Sequence, residues 1–160
     1  MCIRKYPANH SLQTNIMTTH KYSQHFYDFV EKSSGRSAEK FIAKLDLGYE
    51  INSILDVGCG LGVWLKAWQD KGINDIIGID GSYVDQKALK IPRENYRAID
   101  ISKSFDLQRR FDLVECLEVA EHIPESSAEV LIANLIRHGD IIIFSAATPG
   151  QGGEHHVNER

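Results

Sequence analysis

The 160-residue chain lacks most of what marks a secreted, membrane-spanning or nucleic-acid-coating protein. It has only three cysteines, Cys2, Cys59 and Cys116, far apart and without a C-x-x-C pair. An odd, unpatterned set excludes a disulfide framework and a cysteine-rich zinc site, and it points to a reducing, cytoplasmic compartment. No apolar run approaches the ~20 residues of a membrane span; the run from Ile141 to Phe144 has the length of a strand. Arg4 and Lys5 are followed by no apolar stretch, so no secretory signal is expected. A basic surplus is missing too, with 18 Lys and Arg against 22 Asp and Glu and a net charge of −4. That balance argues against a nucleic-acid partner, whose phosphates call for clustered cations, and leaves a nucleotide-sized ligand open. What is present, 42% apolar and 25% charged residues, is the composition of one ordinary globular domain.

There is no internal repeat or low-complexity tract. Met1 to Ile16 are polar and aperiodic, so residues 1–20 are expected to be a disordered segment ahead of a domain spanning 21–160. Tyr22, Phe26, Phe29 and Val30 predict a helix over Lys21 to Lys32, broken at Ser33-Ser34-Gly35, and a second helix follows from Ser37 to Leu45. Beyond Ile51, short β-branched runs alternate with helical patterns. Strands are predicted at Ser53 to Val57, Ile76 to Asp80, Tyr96 to Ile99, Phe111 to Leu117 and Ile141 to Ala146. Helices are predicted at Gly62 to Lys71, Tyr83 to Leu89 and Ser126 to Ile136. Runs without alternation suit strands buried on both faces, so the pattern implies a doubly wound α/β fold with a mostly parallel sheet. In such folds ligands bind beyond the carboxyl ends of the strands.

The first strand ends in Asp56-Val57-Gly58-Cys59-Gly60-Leu61-Gly62 and runs into a helix. Three alternating glycines let a backbone adopt positive φ and let a ligand approach it closely. A phosphate loop is excluded because no lysine occurs between Asp56 and Lys66. A dinucleotide fingerprint fits poorly, since Gly62 comes one position early and Val63 stands where that turn needs its third glycine. Asp56 would repel a pyrophosphate and suits a ligand with a cationic part. Asp80, twenty residues after Gly60 at the end of the second strand, can accept hydrogen bonds from both hydroxyls of a ribose or cap a turn into Gly81-Ser82. Asp100 can hold an adenine amino group or cap a turn into Ser102. Together these acids point to a nucleoside without phosphates.

The run Leu55-Asp56-Val57-Gly58-Cys59-Gly60-Leu61-Gly62, with Gly78-Ile79-Asp80, Asp100-Ile101 and Phe111-Asp112-Leu113-Val114, resembles the class I S-adenosylmethionine-dependent methyltransferases over residues 37–160. The resemblance implies a Rossmann-like methyltransferase fold, S-adenosyl-L-methionine as cofactor and a small-molecule or sugar acceptor, methylated on O or N. It implies contacts from Asp56, Gly58, Cys59, Gly60 and Gly62 to the methionine end. Asp80 and Gly81 would serve the ribose, Asp100 and Ile101 the adenine. Cys116 and Leu117, within the segment Glu115 to Glu118, would face the sulfonium; read from the residues alone, Cys59 and Cys116 are small packing residues.

Glu118, Glu121 and His122 lie at i, i+3 and i+4, so a helical turn would bring them to one face. His122, with Glu118 and the later His156, forms the candidate catalytic set, a base or positioning group for a hydroxyl or amine. The same three residues with a histidine of the C-terminal loop resemble metal-dependent O-methyltransferases, although no metal ligand is assigned. The stretch Pro149-Gly150-Gln151-Gly152-Gly153, leading to His156-Val157-Asn158-Glu159, resembles a loop near substrate in small bacterial methyltransferases. The family's sheet ends in an antiparallel hairpin for which no residues remain after Arg160. The expected sheet therefore lacks that hairpin, with an open edge that a second copy of the chain could complete as a homodimer. A cofactor-binding but inactive or regulatory domain is the alternative to an enzyme.

Overall fold

The computed structural model describes residues 34–153 and 156–158. Expectations for the first twenty residues and for the helix at Lys21 to Lys32 lie outside the described residues, as do those for Glu159. Five parallel strands form one sheet in the order β3-β2-β1-β4-β5. They are β1 (Ser53–Val57), β2 (Asp75–Asp80), β3 (Tyr96–Ala98), β4 (Leu113–Leu117) and β5 (Ile142–Ser145). The order reverses between β1 and β4, which places a crevice above their carboxyl ends.

Burial follows position in the sheet. All five residues of β1 are buried, as a central strand covered on both faces must be, whereas β5 at the edge leaves Phe144 exposed. Successive side chains alternate between the faces. Ile54 and Leu113 pack with helix α1 (residues 34–42) and helix α2 (Val63–Asp70) through Ala38, Ile42, Leu65 and Trp68. Leu55, Val57, Val114 and Cys116 pack on the other face with Leu131 and Leu135 of helix α3 (Ala128–His138).

Two buried polar residues of α3 tie the loop after β3 to this second face. Asn134 accepts the Phe105 N–H at 3.2 Å and donates to the Lys103 carbonyl at 2.8 Å. His138 Nε2 accepts the Leu107 N–H at 3.0 Å, so Nδ1 carries the proton it donates to the Asn134 carbonyl at 2.7 Å. These bonds satisfy the backbone groups where a loop without regular structure lies against the helix.

Four expectations need correction. Ser34 and Gly35 are already helical, so α1 does not wait for Ser37 and ends at residue 42. The Tyr83 to Leu89 stretch forms successive turns: the Asp85 side chain accepts the Lys87 N–H at 2.9 Å, an alternative to helical bonding that aspartate favours. β4 starts at Leu113, with Phe111 reduced to a single bridge to Gly139. Glu118 does not continue into a helix, because its φ of 56° leaves the right-handed region and only the short 3₁₀ turn Ala120–His122 follows. Among the described residues no strand follows β5, and no helix is long and apolar enough to cross a membrane.

Candidate cofactor and methyl-transfer site

The loop between β1 and α2 is held by its own backbone. Gly58, Gly60 and Gly62 have φ of 87°, 51° and 77°, a region that residues with a Cβ occupy at a cost. The N–H groups of Gly58 and Cys59 donate to the Ile79 carbonyl at 2.8 and 3.1 Å, which fastens the loop to the end of β2. Close packing adds a second constraint. A Cβ on Gly58 would lie 2.3 Å from Val119, and one on Gly62 would lie 2.9 Å from Ile91. The sequence singles out these glycines; the two side chains that press on them carry no local signal.

Asp80 sits at the centre of the arrangement and is only 5% exposed. Its Oδ2 accepts the Gly60 N–H at 2.7 Å, and Oδ1 accepts the Gly81 N–H at 2.6 Å and the Tyr83 hydroxyl at 2.5 Å. Burial raises its carboxyl above the usual aspartate range, while the bonds from Tyr83, Gly60 and Gly81 pull it back. Beside it a cavity of about 170 Å³ opens between the ends of β2 and β3, lined by residues 81–83 and 98–101. Asp100, expected at the adenine, borders that cavity, but its carboxylate holds the Ser102 N–H and hydroxyl at 3.1 and 2.6 Å and Lys103 at 2.8 Å. Partial burial opposes ionisation there, yet these bonds keep its carboxyl below the ordinary value. Ile101 is buried behind it.

Asp56 and Glu115 lie lower, side by side in the register of β1 and β4 and nearly sealed from solvent. Trp68 Nε1 donates to Glu115 Oε2 at 3.0 Å. Burial pushes Glu115 up to about 7 against that bond, and burial, then Glu115, then Asp80 push Asp56 well above the aspartate range. Cys59 is buried against Gly78, and burial raises its thiol, as it does for Cys116, so both are inert packing groups. Cys116 lies with its side chain fully covered in the α3-side core, which leaves its backbone as its route to a ligand.

After β4 the chain turns at Glu118. Its N–H donates to the Ser145 carbonyl at 3.0 Å, and its carboxylate accepts the Ser145 hydroxyl at 2.7 Å, so it joins the ends of β4 and β5 at the surface. It is not grouped with Glu121 and His122 as helical spacing suggested. His156 takes that place: one donor atom each from Glu121, His122 and His156 lie within 4.8 Å of one another, and the two imidazoles meet edge to face at 5.2 Å. The Val157 and Asn158 N–H groups donate to the Glu121 carbonyl at 2.8 and 3.1 Å, which docks the C-terminal stretch here. Gly153 makes room for the ring, since a Cβ there would sit 2.2 Å from His156 Nε2.

A doubly wound parallel sheet, a glycine turn after its first strand and an acid after its second define a Rossmann-like nucleoside-binding fold. Residues 18–145 match the family described as a methyltransferase domain, and the chain belongs to that family. A ubiquinone biosynthesis O-methyltransferase of Alkalilimnicola ehrlichii is 34% identical over 116 residues, covering 66% of this chain and 45% of that protein. The chain thus spans about half the length of that curated relative. Among solved structures, DesVI of Streptomyces venezuelae superposes with a TM-score of 0.63 at 19% identity, over 84% of this chain and 62% of its own. An S-adenosylmethionine-dependent methyltransferase of Clostridium acetobutylicum gives 0.60 at 20% identity, over 78% and 56%. Both support the fold class read from the strand order.

Proposed function

We propose that the chain is the cofactor-binding part of an S-adenosylmethionine-dependent methyltransferase acting on the oxygen or nitrogen of a small molecule. The observation that carries this reading is the closed ring formed by the glycine loop and Asp80, set beside the cavity between the ends of β2 and β3. These residues fit the cofactor: backbone without Cβ groups for its methionine end, a carboxylate for its ribose and a partly open slot for its adenine. When bound, S-adenosylmethionine supplies a methyl group on a cationic sulfur. Asp80 would orient the nucleoside, the walls would exclude water, and most of the acceleration would come from in-line placement. His122 or His156 would take the proton from a hydroxyl acceptor, while Glu118, fixed at the rim by Ser145, would position it. The relative's name, an O-methyltransferase of ubiquinone biosynthesis, makes hydroxylated aromatics the first acceptors to test.

The net charge of −4 supports a small acceptor over a nucleic acid. The free buried thiols of Cys59 and Cys116 support a cytoplasmic setting. Among the described residues the outer edge of β5 pairs with no strand and Phe144 is 45% exposed, which supports a homodimer formed there. Transfer of labelled methyl from S-adenosylmethionine to panels of phenols and amines tests the activity. Transfer to one class supports the reading; cofactor binding without transfer to any acceptor favours the inactive or regulatory alternative.

One observation favours a second, metal-assisted reading, against the expectation of no metal ligand. Among the described residues Glu121 Oε2 is buried without a hydrogen-bond partner, beside His122 and His156, a donor set that suits a divalent cation. These residues would hold the ion, which would polarise an acceptor hydroxyl and lower its pKa. A rise in melting temperature with manganese or zinc, lost in His156→Ala, is the expected result; an unchanged melting temperature would remove the metal.

A further inference from the structure

The row of side chains that faces α1 and α2 across the sheet reads Gly78, Asp56, Glu115 and Ile143 from β2 to β5, as the register requires. Two carboxyls therefore stand next to each other on neighbouring strands, directly below the glycine loop, with 4% and 0% exposure. Neighbouring buried carboxyls do not both ionise without compensation, because desolvation and mutual repulsion favour a shared proton. Trp68 on α2 satisfies Glu115 Oε2, but Glu115 Oε1 is buried and has no hydrogen-bond partner among the described residues. An orphaned oxygen beside a second carboxyl is where a proton belongs.

The surroundings offer no other remedy. From β2 the pair faces Asp80, a further acid, and from the loop it faces the buried Cys59 thiol. From α2 it faces the Trp68 indole, and from β5 the apolar Ile143. His122, on the turn after β4, acts on Asp80. Among the described residues no lysine or arginine acts on either carboxyl.

We propose that Asp56 and Glu115 hold one proton between them in the free protein, and that a ligand with a cationic sulfur expels it to solvent. Glu115 is then a positioning and selectivity residue, which favours the charged cofactor over its neutral thioether product. The proposal rests on the S-adenosylmethionine reading above. The balance is simple: the ligand adds one positive charge above the pair, and one proton leaves for the buffer. The ordinary glutamate function of anchoring α2 through Trp68 would give no such coupling.

Two measurements on the full chain test it. Infrared spectroscopy of the free protein should show a protonated-carboxyl band that fades as pH rises past about 7 and is altered in Glu115→Gln. Calorimetry in buffers of different ionisation enthalpy should show S-adenosylmethionine releasing up to about one proton near pH 6 and progressively less by pH 8.5, with less release for S-adenosylhomocysteine at each pH. The preference for the cationic ligand should grow several-fold across that range and stay flat in Glu115→Gln. Should that variant fail to fold, Trp68→Phe removes the bond that favours ionised Glu115 and should move the release to higher pH. No carboxyl band, or proton release unchanged in both variants, overturns the proposal. A band without binding of either ligand overturns the cofactor reading, and the coupling with it, while leaving the shared proton standing.

Discussion

Asp80 and Gly60 are twenty residues apart in the chain, yet the Gly60 N–H reaches Asp80 Oδ2 at 2.7 Å. The acid that would hold a ribose also fixes the shape of the loop that would hold the rest of the cofactor. Its Oδ1 already accepts from Gly81 and Tyr83 while Oδ2 accepts from Gly60, so one ribose hydroxyl can take the remaining site on Oδ2, but a second one reaching Oδ1 must displace a donor there.

Tyr83 is the donor most easily displaced, because it swings on a side chain. Tyr83→Phe should therefore tighten binding of S-adenosylhomocysteine about 2- to 10-fold, the net value of one hydrogen bond no longer broken on binding. Fluorescence or calorimetric titration of the two proteins checks this. Weaker binding by the variant would show that the hydroxyl serves the ligand instead of competing with it.

Gly58→Ala should destabilise the fold by roughly 2–4 kcal/mol, combining positive φ with overpacking against Val119. Urea unfolding of the single variant and of Gly58→Ala with Val119→Ala separates the two causes. The second substitution should recover the packing part and leave the backbone part.

The fold was most legible in the sequence where its strands are central. Ser53 to Val57 reads as a buried run and is one, and Asp80 closes β2 as the pattern predicts. Boundaries fail where a side chain or a turn overrides local preference. Asp85 diverts a helical pattern into turns, and Glu118 adopts positive φ, which no spacing rule foresees. The glycines of the loop were visible as a motif; their partners Val119 and Ile91 were not, since contacts between distant elements leave no periodic trace. His156 was legible as a partner of His122; the backbone bonds to the Glu121 carbonyl that dock it there were not.

The stability of the protein should fall as pH rises from about 4.5 to about 7. Unfolded Glu115 gives up its proton near 4.5, whereas the folded carboxyl, raised by burial against the Trp68 bond, keeps it until about 7. Unfolding in that interval releases a proton, so raising the pH favours the unfolded chain, by an amount on the order of a few kcal/mol. Asp56 and Asp80, also raised, act in the same sense. Urea midpoints at pH 5, 6, 7 and 8 should decline, and Glu115→Gln should reduce the slope without abolishing it.

Asn134→Leu should cost about 2–4 kcal/mol by stranding the Phe105 N–H and the Lys103 carbonyl. Because the loop it holds follows directly from Asp100 and Ile101, hydrogen exchange should quicken over residues 103–108. Protection unchanged there would mean that the loop is held by its apolar contacts alone.

The most direct test of the central claim is calorimetric titration of the chain with S-adenosylhomocysteine and, separately, with NAD, using Asp80→Ala as control. Micromolar binding of S-adenosylhomocysteine, lost in the variant, with no heat from NAD, is the predicted result. Binding of NAD, or S-adenosylhomocysteine binding indifferent to Asp80, would contradict a phosphate-free nucleoside site built on the glycine loop and that carboxylate.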